Sequence, residues 1–279
     1  MGVLYGYGRG ATIREIYCMI SILIPTVDNL DYLQLACRSF EENTRVPFEL
    51  MIWDNGSSPE VGKWCQQQEY TYYRSEENIG LSIPYNKMVA EAKYEIILLS
   101  GNDVYLLPGW DCITEEIKGK GAWRAPMQIS PERPSRAIRG MYGNTVDTFN
   151  EKKLLRDYKG KTYPERRIGS FLSAALRKED YIEIGGYDEN HFGGELSFLW
   201  RAYNFCKENG RLMLTHPRSY FYHFGTRTPR PRGVMIGSKA WTDCEKQFGI
   251  SVEQMDKEMN HYAVYGPSLD ESGSLIQYP

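Results

Sequence analysis

Three apolar runs in the first half of the chain stop on groups able to hold a polar ligand. "MISILIPT" ends on Pro25-Thr26, "FELMIWDNGSS" carries Asp54-Asn55, and "EIILLSGND" runs out through Asn102 to Asp103. Hydroxyl, amide and carboxylate groups beyond a buried run can bind a ligand, or can do no more than cap the turn that follows. Two further groups stand out. Glu195 opens the helical run "ELSFLWRAY", where free backbone N–H groups and the helix dipole hold a carboxylate in place, for chemistry or for helix stability alone. His223 is a lone imidazole in the aromatic stretch "YFYHFG".

The elements that must position these groups follow from periodicity. Branched apolar runs at 19–26, 48–54 and 95–100 read as buried strands, and "YTYYR" as a short one. Between them, Leu30, Leu33, Ala36, Cys37 and Phe40 recur at helical spacing after an Asp28 or Asn29 cap; "VGKWCQQQ" suits a helix, and another begins around Ser82–Pro84. Strands alternating with helices imply parallel strands with helical crossovers, hence a doubly wound α/β sheet. Ligands in such sheets sit outside the carboxyl ends of the strands, so the three polar strand ends converge on one crevice.

The second half is less regular. Residues 129–166 read as an inserted, partly irregular region containing the basic loop Arg133, Arg136 and Arg139. "IGSFLSAALRKEDYIEIGGYDE" predicts a strand, a short helix and a Gly-Gly turn, and a long amphipathic helix follows, ended by Gly210. "RLMLTHPRSYFYHFG" reads as one or two strands. Beyond Gly225 come the basic segment with Arg227, Arg230 and Arg232, then two helical pieces and no clear strand.

Composition bounds the function classes. A chain of 279 residues with ordinary apolar and charged fractions can bury a sizeable core and is not wholesale disordered. A formal charge of −3 excludes a general nucleic-acid binder, so any basic site is local. The six cysteines are scattered without a CxxC pair, against a zinc site or a disulfide framework and in keeping with a reducing compartment. With no secretion-signal layout and no apolar run of membrane-spanning length, the sequence reads as cytoplasmic, with peripheral membrane contact allowed.

Over residues 19 to 225 these motifs, in this order, resemble the family 2 glycosyltransferases, nucleotide-sugar enzymes of the GT-A fold. "ISILIPTVDNLDYLQLACRSF", "ELMIWDNGSS", "NIGLSIPYNKMVAEAKYEIILLSGNDVYLLPGW", "IGGYDENHFGGELSFLWRAY" and "YFYHFG" carry the likeness. The resemblance implies a GT-A-type, doubly wound, mostly parallel sheet with helices on both faces and a C-terminal helical or irregular extension. It divides the chain into a catalytic domain over 1–226, with a donor half near 15–110 and an acceptor half near 111–226, and an extension over 227–279 able to act as a lid.

The family's Asp-x-Asp slot here reads Gly101-Asn102-Asp103. The resemblance makes Asp103 a direct ligand of Mn²⁺ or Mg²⁺, with Asn102 facing the ribose or a metal-bound water and His223 as second metal ligand. Alternatively, Asp103 caps the turn and His223 is structural. For the nucleotide, Asp54 can accept a ring N–H from uracil, thymine or guanine, or make an Asx-turn with Asn55-Gly56. Thr26 can bind base or diphosphate; Asn78 and Gly80 offer a close backbone approach, and Asn86 does the same or pins the loop. For the acceptor hydroxyl, an inverting transfer needs a general base. Alignment on Arg201 puts Glu195 at that position, with Asp188 and Glu189 as runners-up. The implied partners are a nucleotide-sugar donor and a glycan, lipid-linked or other hydroxyl acceptor. The rivals are a non-catalytic protein that binds sugar nucleotides or glycans on the same fold, and a nucleotidyltransferase, for which "PTVDNLD" lacks the phosphate-cradling loop.

Overall fold

A computed structural model describes residues 19–120, 123–131, 137–163, 173–189, 194–225 and 238–265, with two short strands at 268–269 and 275–276. Strands β1 (Ile20–Thr26), β2 (Phe48–Asn55), β3 (Thr71–Ser75) and β4 (Ile96–Leu99) alternate with helices α1 (Leu30–Asn43), α2 (Pro59–Gln67) and α3 (Ser82–Glu91). The strands pair in parallel in the order β3-β2-β1-β4. Side-chain alternation divides each strand between two cores. Ile20, Ile22, Ile24, Leu50, Ile52, Ile96 and Leu98 face α1 and α2, while Leu23, Met51, Trp53, Ile97 and Leu99 face α3. Two apolar faces need a helix layer on each, which is why the inner strands read as unbroken apolar runs.

The second half extends the sheet with both polarities. It comprises β5 (Val104–Leu106), α4 (Ile113–Lys120), β6 (Trp123–Ser130), β7 (Ile138–Arg139), α5 (Glu151–Tyr158), β8 (Ala174–Arg177), α6 (Lys178–Glu183), α7 (Gly194–Glu208) and β9 (Met213–His223). The order continues β4-β8-β6-β9-β5, with β7 beside β6; β8 is antiparallel to β4 and β6, and β5 antiparallel to β9. β6 runs parallel to β9 and shifts register between Pro126 and Met127. Aromatics from β5, β9 and α5, among them Tyr105, Tyr222 and Tyr158, fill a third core.

Two stretches are more ordered than the sequence suggests. Within 129–166 stands the regular helix α5, capped by the Asn150 side chain on the Lys153 N–H. Near the C-terminus two-residue strands at 268–269 and 275–276 pair antiparallel, after α8 (Ser238–Phe248) and α9 (Val252–Tyr265). Cys244, Met255 and Met259 of these helices share the core cluster of α7, and Ser197 Oγ donates to Gln247 Oε1 at 3.1 Å. Arg133, Arg136, Arg227, Arg230 and Arg232 lie outside the described residues.

Candidate active site

The carboxyl ends of β1, β2 and β4 are tied together by their own polar groups. Asn102 Nδ2 donates to Thr26 Oγ1 at 2.8 Å, joining the ends of β4 and β1; both residues are buried. Asp28, just beyond β1, receives the Ser58 N–H on its carboxylate at 2.8 Å and donates its own N–H to Ser57 Oγ at 2.8 Å. The loops after β1 and β2 are thereby locked to each other. Asp28 and Asn29 both adopt left-handed backbone conformations, which Asp and Asn tolerate better than most residues.

Asp54 spends its carboxylate inside the protein. One oxygen accepts the Ser57 N–H at 2.8 Å, and the other accepts the Tyr72 hydroxyl at 2.8 Å and the Arg74 guanidinium. Arg74 is the register partner of Asp54 across β2 and β3. The side chain of Asp54 is fully buried, so it braces the loop after β2. Asn55 next to it pins the "NIGLS" loop: its amide donates to Asn78 Oδ1 and Gly80 O at 2.9 and 2.7 Å, and its carbonyl accepts the Ile79 N–H at 2.9 Å. Gly80 has φ +84 with open space around a Cβ, so its backbone conformation is the reason for glycine there. Gly56 is constrained twice over, by φ +78 and by Glu77 backbone atoms 2.7 Å from where a Cβ would stand.

Asp103 and His223 meet. Antiparallel pairing of β5 with β9 sets Val104 opposite His223, and the Phe224 N–H donates to Asp103 O at 3.2 Å. His223 Nε2 lies 3.3 Å from Asp103 Oδ2, while Gln128 Nε2 lies 3.1 Å from Nδ1. The Gln128 amide has a donor end and an acceptor end, so it can partner Nδ1 in either tautomer, and Nε2 is the ring nitrogen that faces Asp103.

Glu195, in the first turn of α7, is half-buried. Its surroundings are apolar enough that desolvation raises its pKa to about 7. Glu116, Glu151 and Asp157 shift downward. Tyr85 links this carboxylate to the strand end: burial is the main cause of its strongly raised pKa, followed by the negative charges of Glu195, Tyr181 and Asp103. Its hydroxyl donates to Ser100 O at 2.8 Å and its ring stacks on Tyr187, centroids 5.2 Å apart. Tyr85 is thus within electrostatic reach of both Glu195 and Asp103.

Of the runners-up, Glu189 accepts a hydrogen bond from Asn86 Nδ2 at 2.8 Å and serves the turn. Asn86 itself binds the 181–189 segment. Sequence reasoning passed over Arg74, Tyr85 and Gln128. Arg74 carried a signal, since setting "TYYRS" beside "MIWDN" places it against Asp54.

A cation bound between Asp103 and His223 would find one carboxylate and one imidazole. That set suits Mn²⁺, and ions of this class commonly complete their shell with substrate phosphates and water. Among the described residues no group of three or more His, Cys, Asp or Glu side chains gathers to hold a metal, so their share of the ligands would be this pair. No described helix is long and apolar enough to cross a membrane.

Residues 21–114 match the family model described as Glycosyl transferase family 2. Among solved structures, S. aureus TarS 1-349 in complex with UDP is similar, with TM-score 0.51 and 15% identity over 73% of this chain and 60% of that one. The mannosyltransferase PcManGT from Pyrobaculum calidifontis, in complex with GDP-Man and Mn2+, is similar with TM-score 0.50 and 17% identity over 77% of this chain and 58% of that one. The chain therefore spans about 60% of the length of the TarS structure it matches. No curated protein matches at a significant level.

Proposed function

The chain has the GT-A fold and, over 21–114, the sequence pattern of the family 2 glycosyltransferases, and we infer that it transfers a sugar from a nucleotide-diphosphate donor to a hydroxyl acceptor. The reading adds inversion at the anomeric carbon and dependence on a divalent cation. The observation that carries it is the pairing of Asp103 with His223 at 3.3 Å beside the end of β4, with Tyr85 within electrostatic reach of both Asp103 and Glu195. Two neighbours, solved with UDP and with GDP-Man and Mn2+, support a nucleotide-sugar donor and a cation.

In this reading the donor lies over the tied ends of β1, β2 and β4. Asp103 and His223 would hold a divalent cation, and the chemistry it would supply is neutralisation of charge on the departing diphosphate. Asn102 and Thr26, hydrogen-bonded to each other, set the floor between β1 and β4. Asp54 acts through Arg74 and the loop after β2 rather than through a free carboxylate. Glu195 takes the acceptor hydroxyl's proton as the oxygen attacks the anomeric carbon opposite the leaving group. A carboxylate with a pKa near 7 is a stronger base than an exposed one and is still substantially ionised at neutral pH. The acceptor is a glycan, a lipid-linked molecule or another alcohol, and the site of action is the cytoplasm, with peripheral membrane contact through the basic segment after Gly225.

One observation favours the rival, binding without catalysis: the strand end reads Gly101-Asn102-Asp103, with one acid and an amide that donates to Thr26 Oγ1 beside it. A thermal-shift screen of nucleotide sugars with and without Mn²⁺, followed by product analysis for the best donor, tests both. Mn²⁺-dependent stabilisation with release of nucleoside diphosphate supports the transferase; stabilisation with no release from any donor supports the rival.

A further inference from the structure

Asn86 uses all the hydrogen-bonding capacity of its side chain on one distant segment. Nδ2 donates to Tyr187 O at 2.9 Å and to Glu189 Oε1 at 2.8 Å. Oδ1 accepts the Tyr181 hydroxyl at 2.6 Å and the Tyr187 N–H at 2.9 Å. An amide has two N–H groups and two carbonyl lone pairs, so nothing is left over. The partners sit about a hundred residues away, and none belongs to α3.

The same segment is gripped from its other side. Arg201 of α7 donates through Nη1 to Ile184 O at 2.5 Å and through Nη2 to Gly186 O at 2.6 Å. Gly186, at φ +60, is the point of closest approach: a Cβ there would stand 2.7 Å from Asn86 Oδ1. Tyr85, adjacent to Asn86, is bonded to Ser100 O and stacked on Tyr187, whose ring lies 4.7 Å from Phe198 of α7. A continuous frame thus runs from the β4 end that carries Asp103, through α3 and the Gly185-Gly186 turn, to the helix that carries Glu195.

The geometry points to Asn86 as a positioning residue that sets where Glu195 stands relative to Asp103, a role that rests on the reading of Glu195 as the base. Four directional bonds to a turn that is in turn forked by Arg201 fix both the distance and the rotation of α7. Misplacing a reacting group by about 1 Å costs on the order of 100-fold in rate, so an amide outside the reacting shell can control turnover. Glu189, exposed at the surface, is one of the anchors that Asn86 uses.

The test measures kcat and donor KM with the full chain, and nucleoside diphosphate affinity by calorimetry, all below the onset of melting. Asn86→Asp keeps both acceptors and loses both donors. It is expected to lower kcat about 10- to 100-fold while nucleotide affinity stays within about twofold. The mild surface variants Glu189→Ala and Glu189→Gln give a second reading that does not depend on the folding of Asn86→Asp. Alanine is expected to lower kcat several-fold, and glutamine, which still accepts from Asn86, to restore it. Parallel falls in kcat and nucleotide affinity, or wild-type kcat in both Asn86→Asp and Glu189→Ala, would overturn the positioning role. An inactive Glu189→Gln would overturn it too, by making Glu189 a base in its own right. A wild-type rate in Glu195→Gln would instead remove the base assignment beneath it, which keeps the two failures distinct.

Discussion

Asp103 and His223, 120 positions apart in the chain, face each other with Oδ2 and Nε2 separated by 3.3 Å because β5 and β9 pair antiparallel immediately beside them. A carboxylate and an imidazole held this way need little rearrangement to share a cation, and Gln128 fixes the ring from behind.

Replacing Asp103 with Ala should weaken Mn²⁺-dependent nucleotide binding by about tenfold or more and leave the weak metal-free binding unchanged. Calorimetric titration of nucleoside diphosphates with and without Mn²⁺ measures both. Equal losses in the two conditions would make Asp103 a structural turn residue.

Glu195 makes a prediction about stability. Its folded pKa, about 7, lies above the ordinary carboxylate value of 4.5, so the fold favours the protonated form. The stabilisation attached to that proton is complete below about pH 4.5, declines as pH rises through 7, and is gone above it. Glu195→Gln should therefore be more stable than the wild type at pH 8, by up to about 3 kcal/mol, and nearly level with it at pH 4. A gain that does not change with pH would show that the carboxylate is not desolvated.

The same group shapes activity. A base that must be ionised gives kcat/KM rising with pH to a plateau, with the midpoint near 7 in the free enzyme. The pH profile at saturating Mn²⁺ measures it. An acid limb with its midpoint near 4.5 would assign the base to an exposed carboxylate.

Gly56→Ala puts a methyl group against the Glu77 backbone in a left-handed conformation. The expected cost is about 1–3 kcal/mol, with loss of nucleotide affinity because the 76–80 loop must move. Chemical denaturation and nucleotide titration of the variant check the two effects together.

The parallel half of the fold is legible because its strands are unbroken apolar runs punctuated by Pro25, Asn55-Gly56 and Asn102-Asp103. The antiparallel additions are not. In β6 Pro126 falls inside the run and Arg124 and Gln128 break the apolar pattern; a proline argues against a central strand, and the sheet accommodates it with a register shift beside it. α5 places only Leu154 and Tyr158 fully inward, too thin a stripe to stand out among its charges. For the site, residue types were visible but partners were not. The Asn102–Thr26 bond, the saturation of Asp54 by Arg74 and Tyr72, and the Asp103–His223 contact all depend on strand order or register, which residue types alone do not reveal.

The most direct test of the account is turnover of a nucleotide-sugar panel with Mn²⁺, read as nucleoside diphosphate released by wild type, Asp103→Ala and Glu195→Gln. Release from at least one donor by the wild type, abolished in both variants while Glu195→Gln still binds nucleotide, is the predicted result. Tight nucleotide binding with no release from any donor, or wild-type release from Glu195→Gln, would contradict it.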